Sequence, residues 1–168
     1  MPKRLLDRCQ PDSIREFRAA ARQRFDDGLA LSVAGQRTGA IYLWGYTAEM
    51  TLRAAYLSFI GLGETTPITQ KEHLRPAVNQ GRLLGVAWPP QGEFHNVRAW
   101  AELLVTQRAS TPDAAYSPSF GGDVQRYGQR IGELWREFLR YHRNYAYAFE
   151  VRQVREAAEW FLVNSHAL

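Results

Sequence analysis

The feature that most constrains the fold is a long apolar segment, residues 40–62, in which Glu49 and Arg53 are the only charged residues. Its apolar positions recur every three or four residues, a spacing typical of a helix: Ile41, Trp44, Ala48, Leu52, Ala55 and Phe59. We expect this helix to follow a break from Gly35 to Gly39 and to end at Gly61 and Gly63. The two charges predict a buried helix rather than a membrane span, and the apolar character predicts a central position.

Two further helices are predicted in the first half of the chain. Ser13 and Glu16 have the spacing of a capping box, so a helix should start there and run to about Ala34. A shorter helix is predicted over residues 72–84, with a kink or an early break at Pro76, because proline lacks the amide hydrogen that a helix interior needs.

Three helices are predicted in the second half. The first covers residues 95–108. The second would be capped by Asp123 and continue through Tyr141, and the third covers residues 149–164. No segment shows the alternation of a strand bounded by turns. The sequence therefore predicts one all-α domain over residues 1–168, an up-and-down bundle of four to five long helices with a short extra helix.

Cysteine and histidine content bears on location and on metal binding. Cys9 is the only cysteine, which excludes an intrachain disulfide and favours a reducing, cytoplasmic location, and the N-terminus lacks the apolar run of a signal peptide. The histidines are His73, His95, His142 and His166. They lie in separate segments without a second ligand three or four residues away, so we expect neither a metal held by the protein nor a cofactor.

The net charge of +4 allows a polyanionic partner such as RNA or a nucleotide. The basic residues are nearly all arginines, whose guanidinium groups can neutralise and bind phosphate. The alternative is that this charge only keeps the protein in solution, as most surface charge does.

The densest group of phosphate-binding and proton-transferring side chains lies in residues 136–145. Arg136 and His142 form the candidate catalytic pair, because arginine can hold a phosphodiester while a neutral imidazole accepts the proton of a ribose 2′-hydroxyl without a metal. The candidate nucleic-acid-binding residues are Arg140, Arg143, Asn144 and Tyr145. On a straight helix, residues six apart point about 120° away from each other, so the pair needs the long arginine arm, a helix break or a dimer partner to converge.

Structural interpretations of the same residues stay open at this stage. His142 would lie at the edge of an apolar stripe with Phe138 and Tyr141 and would hydrogen-bond within the core. Glu49 and Arg53, four residues apart, have the spacing of a helical ion pair. Surrounded by apolar neighbours, these two charges must satisfy each other or find further partners.

Residues 42–57, Tyr-Leu-Trp-Gly-Tyr-Thr-Ala-Glu-Met-Thr-Leu-Arg-Ala-Ala-Tyr-Leu, resemble a helix of HEPN domains, which are nucleotide-binding helical bundles. The resemblance rests on Glu49, Arg53 and Ala54. The triplet Glu72-His73-Leu74 is similar to a short segment that follows this helix in many members. The resemblance implies a HEPN-like bundle that often forms a homodimer.

HEPN members that act as ribonucleases pair an arginine with a histidine a short distance further along the chain. Carried over to this sequence, the resemblance implies Arg136 and His142 as catalytic residues, with Glu49 orienting the site, in a metal-independent ribonuclease of a toxin or defence system. The alternative is a non-catalytic HEPN-like binding or scaffold module that pairs with a separate nucleotidyltransferase or another partner.

Overall fold

A computed structural model of the chain describes residues 9–90, 93–111 and 116–168, and within these ranges it contains helices and helical turns but no strand. The α-helices of these residues are α1 Ile14–Val33, α2 Arg37–Phe59, α3 Arg75–Leu83, α4 Val97–Ala109, α5 Pro118–Leu134 and α6 Ala148–Val163. Five long helices and one short helix confirm the predicted all-α bundle. No helix within these ranges combines the length and the apolar character that crossing a membrane requires. The N-terminal residues 1–8, considered for a signal peptide, lie outside the described residues.

Helix α1 begins where the capping signal predicts. The Ser13 hydroxyl accepts a hydrogen bond from the backbone N–H of Glu16 at 3.2 Å, which satisfies one of the free amides at the helix start. The buried face of α1 lies along α2, and polar groups are paired across this contact. The Trp44 indole N–H donates to the carbonyl of Phe25 at 3.1 Å, and the Thr47 hydroxyl donates to the carbonyl of Ala21 at 3.2 Å.

Helix α2 is the centre of the bundle, as predicted, since it contacts α1, α4, α5 and α6. It begins at Arg37, so the predicted break from Gly35 to Gly39 is wrong beyond Gln36. Gly35, with a φ of 76°, makes the sharp turn after α1 in the left-handed region that favours glycine. The helix can therefore start almost immediately. Its end is confirmed, because Gly61 with a φ of 85° follows the last turn.

The shorter helix differs from its prediction in how it starts. Residues Gln70–Leu74 form a π-helical turn, and α3 follows directly from Arg75. Pro76 lies in the first turn of α3, directly after the π-helical turn, where the chain changes from π-helical to α-helical hydrogen bonding. Pro76 therefore lies at the junction of two helical segments rather than at a break within α3.

The start of α4 and both ends of α5 differ from the predictions. Helix α4 begins at Val97 rather than at residue 95, with Asn96 as the capping residue, and Ser117 rather than Asp123 caps α5. Asp123 instead accepts a hydrogen bond from Arg126 at 2.8 Å on the outside of the helix. Helix α5 ends at Leu134, so the prediction that it continues through Tyr141 is wrong.

Candidate nucleic-acid interface

Trp135 ends α5 and fixes the direction of the segment that follows. Its backbone is extended, and its buried indole lies directly over Gly45 of α2 and donates a hydrogen bond to the carbonyl of Tyr42 at 2.9 Å. A side chain at position 45 would occupy the space of the indole. The chain therefore leaves the helix at Trp135, and a single 3₁₀ turn, Glu137–Tyr141, follows.

The far end of the segment is held against the start of α2 by Asn144 and Thr38. The Asn144 amide accepts a hydrogen bond from the backbone N–H of Thr38 at 3.0 Å and donates one to the carbonyl of Gly35 at 2.8 Å. In turn, the Thr38 hydroxyl accepts from the backbone N–H groups of Tyr145 and Ala146 at 2.8 and 3.0 Å. Asn144, a candidate RNA contact, thus has its donor and its acceptor engaged within the fold.

From the first attachment to the first turn of α6 the chain exposes aromatic and arginine side chains, which we call the arginine–aromatic surface. It comprises Phe138, Arg140, Tyr141, Arg143, Tyr145, Tyr147 and Phe149. Tyr141 is 74% exposed and Tyr147 is 66% exposed. The Arg140 guanidinium lies 4.7 Å from the centre of the Tyr141 ring, and that of Arg143 lies 5.5 Å from the centre of the Tyr145 ring. Large aromatic side chains without cover, interleaved with cations, are typical of a contact surface.

The two residues of the candidate catalytic pair make different contacts. Arg136 turns back onto the end of α5, where its guanidinium donates hydrogen bonds to the carbonyls of Gly132 and Trp135. His142 is exposed, and its ring meets that of Phe138 edge to face at 5.5 Å. The interpretation of His142 as a core residue is therefore wrong, because the helix that would have buried this stripe ends before it.

His142 lies at a groove between the end of α5, the 3₁₀ turn and the start of α6. The groove has a volume of about 270 Å³. Its walls are mainly apolar and aromatic, with one carboxylate. The lining residues are Thr38, Ile41, Leu134, Phe138, Leu139, His142, Tyr145, Ala146, Tyr147 and Glu150. We refer to it as the His142 groove.

Glu49 lies in a separate, buried ion network rather than beside His142. It is 1% exposed, and its carboxylate is 2.5 Å from the Arg53 guanidinium, so the predicted ion pair is present. Arg53 also donates to the carbonyl of Phe94 and lies over the Trp100 ring, with 5.6 Å to its centre. The third member is His95, whose Nδ1 is 3.0 and 3.2 Å from the two Glu49 oxygens. The buried carboxylate thus joins α2 to the turn before α4.

Tyrosines connect this ion network to the arginine–aromatic surface. Burial raises the pKa of the Tyr46 hydroxyl, and a hydrogen bond to Tyr42 and the charge of Glu49 raise this pKa further, against a smaller opposing effect of Arg140. The phenol of Tyr46 therefore stays protonated at neutral pH. Arg140 also hydrogen-bonds to Tyr42. These rings link Glu49 to Arg140 of the exposed segment.

Three residues with defined positions were missed or misread from the sequence. The sequence analysis did not link His95 to Glu49, although a buried Glu49 requires partners beyond one arginine. Asn144, predicted as an RNA contact, also anchors the segment. Glu150 lines the His142 groove, and its spacing from Tyr147, whose N–H it accepts at 2.7 Å, is the one signal that marks it as a helix-start residue.

Over the part of the chain that the structure describes, no group of three or more histidine, cysteine or acidic residues could hold a metal ion. The fold and the site together define an all-α helical bundle with an exposed arginine–aromatic surface beside an apolar groove. Comparisons with protein-family models, with curated proteins and with solved structures find no match for this chain.

Proposed function

We propose that this protein is a HEPN-like module that binds single-stranded RNA or nucleotides through the arginine–aromatic surface. The observation that carries the proposal is the exposure of five aromatic side chains within residues 138–149, interleaved with arginines. Aromatic rings stack on bases of any sequence, and guanidinium groups pair with the phosphates between them. A surface with both is suited to a flexible strand whose bases are free to stack.

Two magnitudes support a useful affinity from so small a surface. Stacking of one base on an aromatic side chain contributes about 1–3 kcal/mol. Arg140 and Arg143 add phosphate contacts whose strength falls as salt rises, because each contact releases a condensed counterion. Two stacked bases would contribute about 2–6 kcal/mol, and the two phosphate contacts would add a part that falls as salt rises.

The geometry favours binding over cleavage within a single chain. His142 could accept a proton from a 2′-hydroxyl, but Arg136 is engaged with backbone carbonyls of α5 and does not line the His142 groove. The metal-independent ribonuclease stays a prediction, in which Arg140 or Arg143 beside His142, or an arginine of a second copy, would hold the phosphate. Incubation of RNA with the protein and a chelator tests it, since cleavage that His142→Ala abolishes would establish the activity.

The non-catalytic alternative, a partner such as a separate nucleotidyltransferase, draws on the same surface. Tyrosine, phenylalanine and arginine are also the residues enriched in protein interfaces. A module that binds RNA should stack on bases of any sequence, with an affinity that falls as salt rises, whereas a module for a protein partner should not. Titration with RNA therefore separates the two functions.

Tyr141→Ala is expected to weaken binding of an oligouridylate of about eight nucleotides by about 1–3 kcal/mol, because the most exposed ring of the surface no longer stacks on a base. Arg140→Ala is expected to reduce the slope of log affinity against log salt by about one, the loss of one phosphate contact. Fluorescence anisotropy at several salt concentrations measures both.

Arg126→Ala is the matched control for these variants. Its guanidinium lies 4.8 Å from the centre of the Tyr127 ring, the same arrangement as Arg140 over Tyr141, but on α5 outside the surface. It should leave the affinity unchanged. Equal losses in Arg126→Ala and Arg140→Ala would show that only the overall positive charge attracts RNA, and the proposed surface would be wrong.

A further inference from the structure

The His142 groove has the dimensions of a site for one planar ring system. Its volume of about 270 Å³ lies just below the usual range for drug-sized ligands, which begins at about 300 Å³. A groove of this size can accommodate one nucleobase. The side chains of Phe138 and His142 form one side, and Tyr145 and Tyr147 contribute further rings to the lining.

The groove contains a single carboxylate, that of Glu150, and this carboxylate retains hydrogen-bonding capacity. Its Oε2 accepts from the backbone N–H of Tyr147 at 2.7 Å, which holds the side chain in place. A carboxylate oxygen has two lone pairs, and Oε1 has no hydrogen-bond partner among the described residues. Glu150 therefore offers fixed acceptors, and no donor, to a ligand in the groove.

The geometry points to the His142 groove as a guanine subsite, in which the base stacks against the rings of the groove and Glu150 accepts its N–H groups. Guanine presents two adjacent donors, N1–H and the N2 amino group, which match the two oxygens of a carboxylate. Adenine and cytosine place a ring-nitrogen acceptor beside their amino donor, and uracil flanks its one donor with two carbonyls. Each of these other bases would bring a lone pair against the negative charge.

This assignment rests on the proposed function and makes it specific. Arg140 and Arg143 precede and follow His142 in the chain, so phosphates on either side of a bound guanine have cations at hand. Flipped bases are generally recognised in this way, by stacking between side chains and by hydrogen bonds along the pairing edge. The resulting ligand class is single-stranded RNA, or a nucleotide, that presents an unpaired guanine.

Nucleoside monophosphates test the assignment with the wild-type protein. GMP is expected to bind at least about tenfold more tightly than AMP, CMP or UMP, as two charge-assisted hydrogen bonds allow. IMP, which lacks only the N2 amino group, should fall between GMP and AMP. Calorimetric or NMR titration gives the affinities, and the NMR shifts of Ile41 and Leu139, which line the groove, report where the base lies.

Glu150→Gln provides the matched variant, because an amide oxygen can still accept from Tyr147 while its NH₂ group opposes the donors of guanine. It should bring GMP down to the affinity of AMP, whereas Glu156→Gln, further along α6 and paired with Arg130, should keep the preference. Equal affinities of the four nucleotides for the wild type, with oligouridylate still bound, would overturn the guanine subsite alone. No binding of oligouridylate or of any nucleotide would overturn the proposed function as well.

Discussion

Glu49→Ala is expected to lower the free energy of unfolding by about 3–5 kcal/mol, which is a large part of the stability of a domain of this size. The loss comes less from the ion pair itself than from the buried charge of Arg53, which then lacks its carboxylate. Among the described residues, Arg53, 8% exposed, would keep its charge in the interior with the carbonyl of Phe94 and the Trp100 ring but no carboxylate, and His95 would lose the carboxylate that holds its ring. Urea unfolding followed by circular dichroism measures the change.

Comparison with two other variants shows whether the loss in Glu49→Ala comes from the burial of the charges or from the ion pair alone. Glu159→Ala removes a carboxylate that also faces an arginine four residues away, Arg155, but both side chains are half exposed, so the expected loss is below about 1 kcal/mol. The double variant Glu49→Leu with Arg53→Met should be more stable than Glu49→Ala, because it leaves no unpaired charge in the interior. A loss in Glu49→Ala no larger than in Glu159→Ala would contradict the buried network.

The regular part of the fold could be predicted because local periodicity determines it. The apolar spacing of α2 and the cap at Ser13 are properties of neighbouring residues, and both predictions are confirmed. The end of α5 could not be predicted in this way. Trp135 leaves the helix because its indole fits over Gly45, a contact between residues that are far apart in the sequence. The apolar spacing continues through Tyr141, so the pattern alone favours a longer helix.

The same error concealed the nature of the candidate site. Read as a helix, Phe138, Tyr141 and Tyr145 form a buried stripe, and His142 is a residue at its edge. Because α5 ends at Leu134, these rings are exposed and belong to a candidate contact surface rather than to the core. The partnership of Glu49 with His95 was equally invisible, because it joins two separate segments and no spacing encodes it. The residue types in the sequence identify candidates for a site, whereas which of them lie close together in the fold depends on packing.

Gly45→Ala is expected to destabilise the fold by about 3–5 kcal/mol and to disrupt the arginine–aromatic surface. The added methyl carbon would overlap the buried Trp135 ring, so the indole must move out of its site. The fold then loses the burial of a tryptophan and its hydrogen bond to the Tyr42 carbonyl. Affinity for oligouridylate should fall as well, because the segment that carries Arg140 loses its attachment.

The same substitution at Gly122 is expected to change the free energy of unfolding in the opposite direction. Gly122 lies within α5, is exposed, and has nothing within 4 Å of an added methyl group. Alanine loses less backbone entropy than glycine when a helix forms, so this variant should gain about 0.5–1 kcal/mol. Helix propensity alone predicts that same gain at position 45, and only the contact with Trp135 reverses it. Urea unfolding of both variants therefore decides whether Trp135 holds the segment to α2: a gain at position 45 would mean that the indole lies elsewhere, and that the arginine–aromatic surface is not fixed as described.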